Sequence, residues 1–511
     1  MILYVLILSL AIVIFNLTLP MMAGLYIVSD LGGNAYLAPY GVSFFCLGNV
    51  LGVPLGKPWV TRLSAMHLYV LCLCLMIVFS WQCVIASNYF NFILFRFLEG
   101  FASGPLFLLI TMSLIPLLAP EKKTEFVMPL VLTCFAITPV LGACWGGWVA
   151  FNYHWQALFV PNIPICLFLI VYVGYGFRKF HRPPEKVLFD KVGYFFYSTS
   201  LFFIGTALIL GQELDWFRSS LITFMLIAGG IGFLYFILRS LSFPHPIVEF
   251  RLFKHLYFCF ALLNVALLFS AYFGMVILLS LWLKLYVNYT PDWIILLIGT
   301  MALGAWIPIF LNYKRFDARI PLATALLFFA ISCFYTATFN VEINFGRIAV
   351  SRLLAGLGLA LFLPPLFRMS VTIYPQAQAT ERINVFHIVR LLGSALGASL
   401  YVILWQRRQV FYHERLGSLL TPLAPPTQQF FERAEHFHLS GEKALAKLNA
   451  LLDRQATALA LDDCFYLMGW MMVILLLLVI LSFVFRPYLP FAKERKREEN
   501  PSLGATDTSP V

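Results

Sequence analysis

Fourteen runs of apolar residues, most about twenty residues long, divide this chain, and they fix its fold class. A helix needs ~20 residues to cross a bilayer core, whereas a barrel strand needs about ten with alternating character. The runs fall at 3–28, 35–55, 67–87, 91–118, 126–150, 157–177, 193–212, 219–239, 256–284, 292–312, 320–338, 346–372, 384–406 and 463–485. Lipid offers no partners for backbone polar groups, so each run must satisfy its own as a helix. The runs predict an all-α integral membrane protein with about fourteen transmembrane helices. Only 12% of the 511 residues are charged, against roughly a quarter in soluble proteins. The opening "MILYVLILSLAIVIF" has no basic segment and no small-residue cleavage site, so it reads as a retained first helix rather than a signal peptide.

The net charge of +11 is distributed as topology demands. Basic residues occupy alternate loops: Lys57 and Arg62, Lys122 and Lys123, 178–191, 239–255, 312–319, Arg368 with Arg382, and the tail "KERKR". The opposite short loops hold Arg218, Lys284 and Arg347. The positive-inside rule places both termini in the cytoplasm. The clusters set topology, so no nucleic-acid partner is expected. The ten cysteines lack paired spacing and read as small packing residues. Residues 407–462 form a polar outer loop with helical spacing after Ser440, and its "EHFH" (His436, His438) is read as solvated rather than metal-binding. No metal or cofactor is expected. The tail from Glu498 is polar and reads as disordered.

An internal echo divides the chain further. "RFLEGFASGPLFL" starts at Arg96 and "RLLAGLGLALFLPP" at Arg352. Such repeats occur in secondary transporters. They predict a six-helix bundle over 1–177, two inserted helices with their flanking loops over 178–255, a second bundle over 256–485 that includes the outer loop, and a tail over 486–511.

Arg96, Arg352 and Arg390 are the intramembrane arginines. A charge at the helix centre costs about 3 kcal/mol on insertion scales, so these side chains should face a bundle interior or a wet cavity. Arginine stays protonated and cannot itself carry a proton through a cycle. Glu99 lies one turn from Arg96. It is open to three readings: a proton carrier that alternates between paired and unpaired states, a static ion pair, or a helix-end group in wet headgroups. Gly142, Gly146 and Gly147 lie on one helical face, where small residues let backbones approach closely. That seam is expected to join spans 5 and 8 or their neighbours, as a gate or as plain packing. Pro139 is expected to kink span 5 or loosen a backbone hydrogen bond.

An ordered series of motifs resembles the major facilitator superfamily, in its fourteen-helix drug–proton antiporter branch (EmrB/QacA type). "NLTLP" (16–20) resembles the branch's N-x-x-x-P; Arg96 and Gly100 match R-x-x-x-G; "PVLGACWGGW" (139–148) resembles the glycine-rich antiporter motif. "HWQALFVPNIPI" (154–165), "HPIVEFRLFKH" (245–255) and "RLLGSALGAS" (390–399, with Gly393 and Gly397) follow in order. The resemblance implies two six-helix bundles related by pseudo-symmetry plus two extra central helices. It also implies proton-coupled efflux of amphiphilic or drug-like molecules by alternating access, in a bacterial inner membrane, with a periplasmic adaptor as a candidate partner. A dedicated exporter or importer of one metabolite, such as a siderophore, and a non-transporting scaffold are the alternatives. No HExxH, G-x-S-x-G or GxxxxGK[ST] occurs, so neither a membrane enzyme nor an ATP-driven pump is expected.

The departures are specific. The acid usually found five positions before the motif asparagine is Ala11, while position 99, more often glutamine, is Glu99. The titratable carboxylate is therefore expected to have moved to span 4, with Asp30 and Glu213 as weaker proton-coupling candidates. The loop after span 2 keeps Arg62 but lacks the superfamily's Asp and second glycine, whereas its counterpart "NYKRFDAR" retains Arg315, Asp317 and Arg319. Ala143 replaces a proline of the span 5 motif.

Overall fold

The structure, a computed structural model, describes residues 2–118, 130–131, 133–176, 189–309, 317–367, 369–370, 379–437 and 441–484. Every regular element among them is helical. The first span is broken into α1 (Ile2–Thr18) and α2 (Pro20–Asp30), bent by 43°. The second is α3 (Tyr40–Gly52) continued by α4 (Gly56–Leu63). Then come α5 (Ala65–Val84), α6 (Tyr89–Leu118), α7 (Thr138–Asn152) and α8 (Asn162–Gly176). The inserted pair is α9 (Lys191–Leu210) and α10 (Ser220–Ser242). The second half holds α11 (Leu256–Trp282), α12 (Pro291–Ile309), α13 (Arg319–Thr336), α14 (Phe345–Phe367) and α15 (Ala379–Gly417). The short α16 (Pro425–His436) precedes α17 (Glu442–Val484). Among the described residues, twelve segments are long and apolar enough to cross a membrane, the bent α1–α2 pair adds a thirteenth, and α7 occupies the place of the fifth expected span.

Glycines build the two halves by the same rule. A Cβ on Gly48 of α3 would sit 2.0 Å from the Phe97 carbonyl oxygen of α6, and one on Gly100 would sit 2.1 Å from that of Phe45. The second half repeats this: Gly304 of α12 faces the Leu353 carbonyl at 2.2 Å, and Gly356 of α14 faces that of Met301 at 2.1 Å. Gly100 and Gly356 each follow their arginine, Arg96 and Arg352, by four residues. The echo read in the sequence is thus a repeated helix pair, α3–α6 and α12–α14, locked backbone to backbone as lipid-embedded packing favours.

The halves meet along two seams. α3 packs against α15, and α7 against α12. The α3–α15 seam is closed along its length. Tyr36 donates to Gln409 Oε1 (2.6 Å) near one face, Ser43 and Ser399 hydroxyls lie 2.7 Å apart in the middle, and Lys57 meets Glu381 (3.2 Å) near the other. α9 flanks this seam, with the Tyr194 and Tyr197 hydroxyls donating to the Leu51 and Val50 carbonyls at 2.9 Å. α10 packs on α9 and turns an apolar stripe outward: Phe224, Ile231 and Leu238 are 60%, 67% and 57% exposed. In water that stripe would be costly; in a bilayer it is the lipid face.

α15 and α17 run on past their apolar portions into a polar hairpin, tied by Arg408–Asp463 (2.5 Å) and by His413 to Asn449 (3.1 Å). The expected outer loop 407–462 is thus mostly helical. We call this end of the molecule the hairpin face, and the end bearing Lys57, Arg62 and Arg319 the basic face.

Candidate functional site

Two buried polar clusters, one inside the first half and one between the halves, hold Arg96, Glu99 and Arg390, while Arg352 lies inside the second half. The first is built on Arg96 and Glu99. Three residues apart on α6, they project from one side of the helix, and both are fully buried. The Arg96 Nη1 donates to Glu99 Oε2 at 2.7 Å. The other carboxylate oxygen accepts from Asn16 Nδ2 (2.5 Å) and from the Ser80 hydroxyl. Asn162 of α8 donates to Ser80 (3.4 Å). The helix-end reading of Glu99 is therefore corrected, because no part of it reaches water.

The N-x-x-x-P pattern has a physical explanation here. Residue 20 would normally donate its N–H to the carbonyl of residue 16, but proline has none. The helix breaks after Thr18, and the freed Asn16 carbonyl accepts from Arg96 Nη2 at 3.0 Å. The Asn16 side chain accepts from Nη1 at 3.1 Å. Nε reaches the Gly41 carbonyl (3.3 Å), and Phe45 stacks on the guanidinium at 4.5 Å. One asparagine thus serves both members of the ion pair.

Arg352 is the counterpart without the carboxylate. Its Nη2 donates to Thr336 (2.5 Å) and Ser351 (3.0 Å), while Nε and Nη1 have no hydrogen-bond partner among the described residues. Phe465 stacks 5.6 Å away. Among the described residues, the first half pairs its arginine with a carboxylate and the second half does not.

The second cluster lies across the α3–α15 seam and centres on a residue that the motifs do not mark. His387 is buried, with Nε2 3.0 Å from Asn49 Oδ1 of α3 and its ring stacked on Phe107 of α6 at 3.3 Å. Arg390 Nη2 lies 3.1 Å from its Nδ1. Phe135 and Phe269 each stack 5.0 Å from the Arg390 guanidinium. A lone histidine inside an apolar run was the only available signal, and its partner lies far away in the sequence.

The glycine seams differ from expectation in their partners. Cβ atoms on Gly142 and Gly146 would meet Thr18 Oγ1 (2.2 Å) and the Leu19 carbonyl (2.0 Å), so α7 packs on the bend between α1 and α2. Gly147 faces Met22, with Ile295 of α12 at 3.5 Å. The expected partner, span 8, is α10, which packs on α9 instead. Gly393 and Gly397 repeat the seam on the Ala266 and Ser270 carbonyls of α11, each at 2.3 Å. Helix also precedes α7, at 133–136; it is interrupted at Ile137 and resumes at Thr138, so Pro139 sits at a local break, where its missing N–H removes one helical donor.

The remaining candidates lie at the two faces. Asp30 is exposed at the end of α2 and accepts from Trp155 Nε1 (2.7 Å) and Gln156 (3.4 Å). Glu213 is exposed in the turn after α9, and partial burial raises its carboxyl above the usual range. Arg62 is exposed in the last turn of α4. Asp317 caps the start of α13, accepting from Arg319 N (3.1 Å) and Nε (3.4 Å), while Arg319 Nη1 donates to the Ser482 carbonyl (2.7 Å). Arg315 lies outside the described residues, as does His438. Among the described residues no group of three or more metal-ligating side chains gathers.

At the basic face, Lys57 and Glu381 line a cleft of about 230 Å³ with Glu249, His245 and Arg251. Both members of the Lys57–Glu381 pair are more than a third exposed, so solvent screens it and it adds little stability. Burial raises the Glu249 carboxyl, and Glu381 raises it further, while Arg251 and Arg382 oppose. A raised carboxyl favours the closed arrangement while it is protonated, and that contribution fades as pH rises through its value. Alkalinisation through that point should loosen the basic face. The check is a spin-label distance between Leu63→Cys and Ile320→Cys, both exposed there, with Cys74 and Cys259 replaced by serine. Glu249→Gln should abolish the alkaline lengthening; its persistence would clear Glu249 of the effect.

The comparisons with known proteins agree with this architecture. The family model described as Major Facilitator Superfamily matches residues 4–314, more than half of the chain. The chain belongs to the major facilitator superfamily. It is 28% identical over 93% of its length to the multidrug export protein EmrB of Haemophilus influenzae, covering 92% of that protein. It is 26% identical to the fatty acid resistance protein FarB of Neisseria gonorrhoeae, with 92% of each chain covered. A bacterial homologue of the human lysosomal transporter Spinster, solved inward-facing and unoccupied, superposes with a TM-score of 0.59 at 15% identity, covering 94% of this chain and 96% of the other. This superfamily member is 24–28% identical to EmrB proteins over more than nine-tenths of its length, consistent with a divergent member of that type. Its fold is that of the superfamily, with α9 and α10 added between the repeats.

Proposed function

We propose that the protein is a secondary active transporter that exports amphiphilic, drug-like molecules in exchange for protons by alternating access. The observation that carries this reading is the similarity to a multidrug export protein across more than nine-tenths of both chains. The geometry supports it. Two glycine-locked bundles meet along seams of few polar contacts, so they can rock about each other without taking either bundle apart. The reading needs no catalytic step, metal or cofactor.

The division at residues 1–177, 178–255 and 256–485, with the tail 486–511, is proposed on the same basis. The basic face is assigned to the cytoplasm with both termini, in a bacterial inner membrane, by the distribution of Lys and Arg. The hairpin face then points outward, and its helices offer a surface for a periplasmic adaptor. For Arg96–Glu99 we favour the static role. All of its partners belong to one bundle, so rocking leaves it intact.

The test is transport in inverted membrane vesicles. Adding a compound from a panel of amphiphilic drugs to energised vesicles should release protons from the interior, and a protonophore should stop compound accumulation. No compound-induced proton movement across a broad panel would overturn the reading.

A further inference from the structure

We propose that His387 is a proton switch between the two bundles: neutral when they close on the basic side, protonated when they part there. The inference rests on the reading of the chain as a proton-coupled transporter and names a residue that would link proton and conformation.

The hydrogen bonds around the ring allow one assignment. A guanidinium only donates, so the 3.1 Å contact from Arg390 Nη2 requires a lone pair on Nδ1. The neutral ring then carries its proton on Nε2 and donates to Asn49 Oδ1 at 3.0 Å. The orientation of the Asn49 amide is set independently. Its Nδ2 donates to the Ser103 hydroxyl (2.7 Å), which itself donates to the Gly100 carbonyl (2.6 Å). Each link from Arg390 Nη2 to the Gly100 carbonyl pairs one donor with one acceptor when His387 is neutral.

A second proton would break it. Nδ1–H would point at an Arg390 donor and place two cations side by side in a buried site. Among the described residues nothing nearby compensates. From α3 the facing groups are Asn49 and Cys46, the latter beside Arg390; from α6, Phe107 and Ser103; from the other elements, Phe135 and Phe269. On α15 itself the nearest acid is Glu381, about 9 Å away along the axis and engaged with Lys57. Among the described residues, neither His387 nor Arg390 makes an ion pair with a carboxylate.

What separates His387 from Glu99 is where the partners live. Asn49 and Phe107 belong to the first bundle and His387 to the second. Any opening of this part of the α3–α15 seam breaks both contacts and admits water to the ring. In water a histidine titrates between about pH 5 and 8. Closure must then expel the proton, and by reciprocity proton binding must favour opening.

The test uses the Leu63→Cys, Ile320→Cys label pair in lipid nanodiscs, in a Glu249→Gln background that removes the opposing alkaline effect. The distance should lengthen as pH falls, with the open-to-closed ratio changing up to about tenfold per pH unit for one proton. His387→Gln should flatten this profile, and His387→Lys should hold the basic side open at every pH. An unaltered profile in His387→Gln, or a wild-type histidine with no acid-side response, overturns the proposal. If His387→Gln does not fold, Asn49→Ala serves, since it removes the cross-bundle acceptor and, inside the first bundle, only the donor to Ser103. It should move the midpoint to higher pH, and an unmoved midpoint overturns the switch. Vesicle transport separates the two readings. Wild-type proton coupling with an unchanged pH profile in His387→Gln sinks the switch and spares the exporter. A pH-dependent, His387-dependent distance with no compound-driven proton movement sinks the exporter and spares the switch.

Discussion

Glu99→Ala is expected to destabilise the protein by about 3–5 kcal/mol, the cost of leaving a buried charge without its partner. Arg96 is fully buried and has no route to water. Folded proteins hold only about 5–15 kcal/mol in reserve, so this variant should accumulate poorly in membranes and melt early in detergent. The diagnostic is the double replacement Arg96→Met with Glu99→Met. Replacing a whole buried pair by apolar groups is often close to neutral, so the double variant should recover most of the loss. Asn16, deprived of both partners, sets the remainder. Wild-type thermal stability in Glu99→Ala, or a double variant no better than the single, would show that the pair does not hold the bundle. The same single variant separates structure from coupling: protein that survives purification should still move protons with substrate if Glu99 is static.

The second large effect concerns Gly100 and Gly356. An alanine methyl at either site would lie 2.1 Å from a backbone carbonyl of the facing helix, and backbone cannot rotate away as a side chain can. The helix pair must spread, at an overpacking cost of about 1–3 kcal/mol or more. Gly230 is the internal control. It lies within α10, with nothing within 4 Å of its would-be Cβ, so Gly230→Ala should gain up to about 1 kcal/mol from helix propensity alone. Opposite signs for one substitution type, read as melting shifts in detergent, would establish that backbone contact rather than glycine content sets the response. Equal small shifts at all three sites would refute it.

The spans were legible because lipid imposes one length and one composition on each, and the glycine faces because their spacing matches a helix turn. The repeat was legible at Arg96 and Arg352 because both halves use the same close helix approach. Other features depend on which helix comes alongside, and a one-dimensional pattern does not carry that. The spacing of Gly142 and Gly146 marks a sticky face without naming α1–α2 as its partner. His387 in an apolar run looks like any buried histidine until folding brings Asn49 and Phe107 to it. Glu99 stood out in the sequence, but its enclosure by Asn16, Ser80 and Asn162 draws on three further helices.

The missing N–H of Pro20 ties two distant positions into one hereditary unit. Any other residue at position 20 would restore a donor that competes with Arg96 for the Asn16 carbonyl. Loss of Arg96, in turn, would leave that carbonyl stranded at the bend. Neither position can drift alone without penalty, so change at one should be seen only in company with change at the other. Lineages that straighten the first helix should also be those that have discharged the fourth span.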